Sequence, residues 1–222
     1  MSRRLALITI GQSPRTDMAE MIQWLGSGVE IVEAGALDAC TVEEIASMAP
    51  GPGDDPLVTR LRDGRAVTVG KRSIVDQVQR LITASEAAGA DASLVVCTGD
   101  FPRFEHRRPL LLAGSLLRYG VMGIAAGSRV AVMCPVAEQV DLTLARWRHL
   151  TPDLTVRAAS PYGDPADVTA AAVEIGRWGP EFVVLDCMGY TSAMKAAVAQ
   201  ATGARVLLAR SVVGRLTAEL LD

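Results

Sequence analysis

The feature that most constrains this chain is the alternation of short β-branched apolar runs with amphipathic helical patterns. Runs with strand character fall at 5–10, 29–32, 94–97, 129–134, 154–158, 182–187 and 206–208. Between most of them, apolar residues at helical spacing predict helices over 15–25, 74–88, 137–149, 166–178, 192–201 and 211–221. Strand alternating with helix predicts an α/β fold built on mainly parallel sheet with both faces covered.

The same order, two strand–helix pairs and then a cysteine-ended strand, occurs over 5–97 and again over 130–187. It predicts two pseudo-symmetric halves, 1–125 and 126–222, each a mainly parallel sheet flanked by helices, with an active-site cleft between them. Gly127 separates the two. The first half is longer, and its excess is assigned to an insertion near 36–72. Within it, Pro50-Gly51-Pro52-Gly53 is loop material, and Asp63-Gly64 ahead of 66–69 predicts a hairpin.

Each half ends an apolar run on a thiol: Leu94-Val95-Val96-Cys97-Thr98-Gly99-Asp100 and Val183-Val184-Leu185-Asp186-Cys187-Met188-Gly189-Tyr190. Both thiols should lie where a strand hands over to a loop, which in α/β sheets is where ligands bind. Two thiols across a cleft can take a proton from one face of a carbon and return one to the other, the minimum apparatus for racemisation without a cofactor. Free cysteine is also a common core residue, so packing is the competing reading. Cys40 reads as structural, and Cys134 as a packing or supporting residue beside the strand break at Pro135. Asp186 should point to the opposite face of its strand from Cys187 and reads as structural. Trp147, Trp178 and the methionines fall on helical periods and read as packing.

Composition excludes several classes. A chain of 222 residues, half of them hydrophobic, can bury a large core. A net charge of −3 with both signs scattered and only 4% aromatic residues argues against nucleic acid as a partner. The cluster 103–108 includes Glu105 and reads as a loop cap or helix face. The apolar stretch 109–127 is too interrupted by Arg118 and glycines to span a bilayer, and 5–10 is too short for a signal peptide, so no membrane partner and a cytoplasmic location are expected. The four cysteines show no CxxC spacing, and His106 and His149 belong to no metal motif, so no metal is expected. Gly11-Gln12-Ser13-Pro14 lacks GxGxxG spacing and no Walker motif or GxSxG elbow occurs, so neither a NAD or ATP cofactor nor a serine hydrolase is indicated.

Thr9-Ile10-Gly11-Gln12-Ser13-Pro14-Arg15, Glu33-Ala34-Gly35-Ala36-Leu37-Asp38, Leu185-Asp186-Cys187-Met188-Gly189 and the closing Arg215-Leu216-Thr217-Ala218-Glu219-Leu220-Leu221 give the chain a resemblance, nearly end to end, to the AroM family. That resemblance implies no particular reaction. More remotely the chain is similar to the aspartate/glutamate and hydantoin racemase superfamily, which implies an active site between two α/β halves with one cysteine from each. Cys97-Thr98 matches the first-half motif and Cys187-Met188-Gly189 resembles the second. Pro161-Tyr162-Gly163 resembles a carboxylate-binding turn of glutamate racemases but falls in the other half, so its role is not transferred. Superfamily members commonly dimerise, and the apolar helices leave room for a homodimer surface.

These lines converge on a cofactor-independent racemase or epimerase acting beside a carboxylate or carbonyl of an amino-acid-like compound, with Cys97 and Cys187 as acid and base. Backbone N–H groups around Thr98-Gly99 and Gly189-Tyr190, with the Thr98 and Thr191 hydroxyls, are the candidate stabilisers of a carbanion or enolate. Gln12, Ser13 and Arg15 are the candidate carboxylate binders; Arg15 follows Pro14 at a helix start, where a cation fits poorly unless an anion is near. The alternatives are a cysteine-dependent isomerase or decarboxylase using chiefly Cys187, and a non-catalytic small-molecule binding protein that kept the cleft.

Overall fold

In the computed structural model, residues 3–26, 28–149 and 151–221 are described. The chain divides into two compact units, Met1–Gly114 with Gly214–Asp222, and Ser115–Val213.

The first unit is built on strands β1 (Arg3–Thr9), β2 (Val29–Gly35), β5 (Ala92–Val95) and β6 (Leu110–Leu112), all parallel, in the order β2-β1-β5-β6. Helix α1 (Ala19–Gln23), preceded by a short 3-10 turn, lies between β1 and β2, and α3 (Lys71–Ala87) leads into β5. Ile74, Val78 and Ile82, four residues apart on α3, are fully buried in a core with Ala6, Ile8 and Val95 of the sheet. Residues 36–72 hold α2 (Val42–Ser47) and the antiparallel hairpin of β3 (Pro56–Arg60) with β4 (Ala66–Gly70), closed around Gly64 at φ 90°. A Thr41/Glu44 capping box starts α2.

The second unit repeats the plan. Its parallel strands are β7 (Val130–Cys134), β8 (Leu154–Ala158), β9 (Phe182–Leu185) and β10 (Arg205–Leu208), in the order β10-β9-β7-β8. The connections are α5 (Val140–Trp147), α6 (Pro165–Trp178) and α7 (Ser192–Thr202). Asp164 accepts the Ala166 N–H with Pro165 in the first helical turn, and Gly179 closes α6 in the left-handed region at φ 73°. In chain order both sheets read second, first, third, fourth, so the repeat expected from the sequence is present in the topology.

Two helices carry the chain between units: α4 (Ala113–Ala125) and α8 (Ala209–Leu221) contain the boundaries at 114 and 213. The sequence expectation of one crossing, at 125, differs from this division because Gly127 closes a helix rather than a unit. Helix α4 has no legible period in the sequence, because Gly114, Gly120 and Gly123 interrupt its apolar face. Beyond residue 214, α8 packs on the first unit, where a methyl group at Gly214 would come 3.0 Å from Met21 and 3.1 Å from Trp24. Among the described residues no helix is long and apolar enough to cross a membrane.

Candidate active site

In each sheet the strand order reverses between the first strand and the third, and the crevice beyond the carboxyl ends of that pair is where open α/β sheets bind ligands. The last ladder bonds there are Val96 N–H to the Ile8 carbonyl and Asp186 N–H to the Met133 carbonyl, each 2.9 Å. One residue further on stand Cys97 and Cys187. The two thiols therefore hold the same place in the two sheets.

Their local geometry is also the same. Gly99 N–H donates to Cys97 Sγ at 3.4 Å, and Gly189 N–H donates to Cys187 Sγ at 3.4 Å. A donor aimed at sulfur favours thiolate over thiol. Cys187 is buried and Cys97 half-buried.

In the first unit, the loop after β1 is held from the loop after β2. Asp38 accepts from Ser13 N–H (2.7 Å), the Ser13 hydroxyl (2.6 Å) and Gly35 N–H (2.7 Å), and pairs with Arg62 of the hairpin at 3.1 Å. Arg62 also donates to the Ser13 carbonyl at 2.7 Å, while its N–H reaches the Gln12 side chain at 3.0 Å. Gln12 in turn donates to the Leu37 carbonyl at 3.2 Å. Arg15 is buried; Asp17 takes two of its donors, both at 2.8 Å, and the Thr9 hydroxyl a third at 3.0 Å. The poor fit of a cation at this helix start is thus met by the chain's own carboxylate. Thr98 is buried, and Gly99 lies against Leu57 of the hairpin, 2.8 Å from where a methyl would stand.

In the second unit, Gly189 is the tightest point of the site. A methyl there would sit 2.5 Å from the Tyr162 hydroxyl and 2.8 Å from the Pro161 ring. Tyr190 is fully buried; its hydroxyl donates to the Ala159 carbonyl at 2.5 Å and its N–H to the Cys187 carbonyl at 3.4 Å. Burial pushes its phenol well above the ordinary value, with Cys187, Cys134, Asp186 and Tyr162 adding to the shift. Thr191 caps α7, its hydroxyl accepting the Met194 N–H at 3.2 Å. Asp186, the residue after β9, accepts Trp147 Nε1–H at 2.8 Å and pairs with Arg146 at 3.6 Å. Cys134 is buried, and desolvation, then the Asp186 charge, push its thiol up to about 11. It is a poor nucleophile at neutral pH.

Within the first unit, Gln12 and Ser13 fall into one network and Cys97, Thr98 and Gly99 into one turn. Within the second, Cys187, Gly189, Tyr190 and Thr191 follow one another around the other turn. Three residues that hold these loops escaped sequence reasoning: Asp38, Arg62 and Arg210. Arg210 is buried and donates to the Met188 carbonyl through Nε at 3.1 Å and Nη2 at 2.7 Å. Its one signal in the sequence is an arginine two residues past the end of an apolar strand. Among the described residues no group of three or more His, Cys, Asp or Glu side chains could hold a metal ion.

Two parallel sheets, each reversing its strand order between first and third strand, make a fold shared with solved racemases and isomerases. An allantoin racemase from Klebsiella pneumoniae is similar at 14% identity, with a TM-score of 0.64 over 99% of this chain and 87% of that one. The maleate isomerase Iso from Pseudomonas putida S16 is similar at 15% identity, TM-score 0.64, covering 99% and 93%. The glutamate racemase from Aquifex pyrophilus follows at 13% identity, TM-score 0.61, covering 99% and 84%. At these identities the likeness is one of fold. Within that fold class the chain belongs to the AroM family, whose description, AroM protein, matches residues 5–221. No curated protein matches the chain.

Proposed function

We propose that this AroM protein is a cofactor-independent, cytoplasmic racemase or epimerase of a small carboxylate-bearing or amino-acid-like compound, with Cys97 and Cys187 as its acid–base pair. One cysteine, as thiolate, takes the proton from the carbon beside the carboxylate or carbonyl and becomes a thiol. The other, as thiol, gives its proton to the opposite face of that carbon and becomes the thiolate. The atoms balance and the two sulfurs exchange protonation states with each turnover. The charge that develops on the substrate is a carbanion or enolate; because the Gly99 and Gly189 N–H groups are directed at the two sulfurs and the Tyr190 N–H at the Cys187 carbonyl, the Thr98 and Thr191 hydroxyls are the candidates to meet it. Gln12, Ser13 and Arg15 remain the candidate carboxylate contacts; Asp17 and Thr9 hold three of the five N–H donors of Arg15, and Ser13 serves if substrate displaces Asp38 from its hydroxyl or N–H.

The observation that carries this reading is the equivalence of the two turns: same strand, same offset past the last ladder bond, same N–H on sulfur. Core cysteines have no reason to share all three. The test is wash-in of deuterium at the α-carbon, in heavy water, over a panel of amino acids, hydantoins and other small carboxylates. Exchange in the native protein that is lost in both Cys97→Ser and Cys187→Ser supports the pair. Undiminished exchange in both variants removes the thiols from the chemistry.

A second reading is an isomerase or decarboxylase that relies on Cys187 alone. It is favoured by one asymmetry: a buried guanidinium grips the Met188 carbonyl of the Cys187 turn, whereas Gly114 lies against the Thr98 and Gly99 carbonyls of the Cys97 turn. Activity surviving Cys97→Ser and abolished by Cys187→Ser would select it.

A further inference from the structure

The two cysteine turns match in backbone but differ in what holds them. Pairing Val95 with Leu112 in one sheet and Leu185 with Leu208 in the other makes Leu112 equivalent to Leu208, and hence Gly114 equivalent to Arg210. Both are the second residue of the helix that follows the fourth strand. A methyl group at Gly114 would fall 2.7 Å from the Thr98 carbonyl oxygen and 3.0 Å from that of Gly99. The first turn thus rests directly on helical backbone. In the second, the Arg210 side chain fills the corresponding place and grips the Met188 carbonyl with two donors, at 3.1 and 2.7 Å.

That carbonyl belongs to the same planar peptide as the Gly189 N–H. In a trans peptide the two point in opposite directions, so fixing the oxygen from one side aims the hydrogen at Cys187 Sγ on the other. A cation on the oxygen also polarises the peptide and makes its N–H a stronger donor. Arginine pays for this position twice, because a buried cation is costly and a helix N-terminus repels positive charge.

We propose that Arg210 is a positioning residue that holds the Met188–Gly189 peptide against Cys187 and stabilises the thiolate form of Cys187 in the resting protein. This deepens the two-cysteine reading and rests on it only for its catalytic meaning. Among the described residues, the charged and titratable groups that act on Tyr190 of this turn are Cys187, Cys134 of β7, Asp186 and Tyr162 of the loop after β8, and Asp186 pairs with Arg146 of α5. The added negative charge of Asp186 opposes a thiolate, and the Gly189 donor and Arg210 act against it.

The test is site-resolved alkylation of the full chain by iodoacetamide across about pH 5 to pH 10, with Cys97 and Cys187 followed separately by mass spectrometry. In the native protein the Cys187 profile should have its midpoint below that of an ordinary thiol, about 8.5. Arg210→Met should slow Cys187 about tenfold and raise its midpoint while leaving Cys97 within about twofold, and Arg210→Lys should restore part of the loss. A merely structural arginine would alter both cysteines together or leave the Cys187 midpoint unmoved, and either result overturns the proposal. So does a native Cys187 midpoint no lower than that of an ordinary thiol, about 8.5. Should Arg210→Met fail to fold, amide exchange at Gly189 decides in Arg210→Lys: faster exchange there than in the native protein supports the grip, and equal exchange overturns it. Alkylation is read without turnover, so loss of the racemase reading leaves this result standing, and the reverse.

Discussion

Gly189 N–H meets Cys187 Sγ at 3.4 Å, and the same peptide presents its Met188 carbonyl to Arg210. The sulfur therefore sits at the end of a chain of polarised groups, while its counterpart Cys97 has the N–H of Gly99 without an arginine at the equivalent helix start.

Glycine is required at 189 more strictly than at 99. Gly189→Ala drives a methyl into the Tyr162 and Pro161 rings, which are stiff, and should cost about 1–3 kcal/mol in urea denaturation while slowing Cys187 alkylation. Gly99→Ala meets only the end of Leu57, which can turn aside, so its cost should be the smaller. Equal costs at the two sites would show that the turn at 189 yields as easily.

Cys134 should make stability fall at alkaline pH. Its thiol stands at about 11 when folded against an ordinary 9.0, so the native protein holds that proton more tightly than the unfolded chain. The resulting stability, on the order of 2–3 kcal/mol, is fully present below pH 9 and is lost as pH rises through about 11. Denaturation midpoints measured over that window should decline, and Cys134→Ala should flatten the decline.

Asp186 ties the end of β9 to Trp147 of α5. Asp186→Ala strips the acceptor from Trp147 Nε1–H, which is then buried without its partner, at a cost of about 1–3 kcal/mol. The same change removes a charge that raises the Cys134 thiol, so Cys134 alkylation should begin at lower pH in the variant than in the native protein.

Asp38 should prove to be the clasp of the loop after β1. Asp38→Ala removes the acceptor of Ser13 N–H, the Ser13 hydroxyl, Gly35 N–H and Arg62 together. Amide exchange at Ser13 and Gly35 should speed up by about tenfold or more, with a stability loss of about 1–3 kcal/mol, while amides of β9 keep their protection.

Local pattern reveals an element when the element is long or well signalled. Strand β8 lies where its alternation placed it, and the hairpin follows from Asp63-Gly64. Strand β6 has three residues, too few to carry a period, and α4 is hidden by its glycines. The two thiols stood out because each apolar run breaks into Gly two residues past a cysteine. Arg210 carries no local signal because it reaches Met188 across 22 residues of chain, and Asp38 shows its clasp only through Ser13, 25 residues away.

The sequence by itself determined the α/β class, the repeated order of elements and the pair of strand-end cysteines, since all three follow from the spacing of apolar residues and glycines over short windows. Only the tertiary structure decided which donors face each sulfur, which carboxylate clasps which loop, and that the end of α8 packs with the unit containing β1. Those outcomes depend on side chains and helices brought together by sheet register, and no local spacing encodes that register.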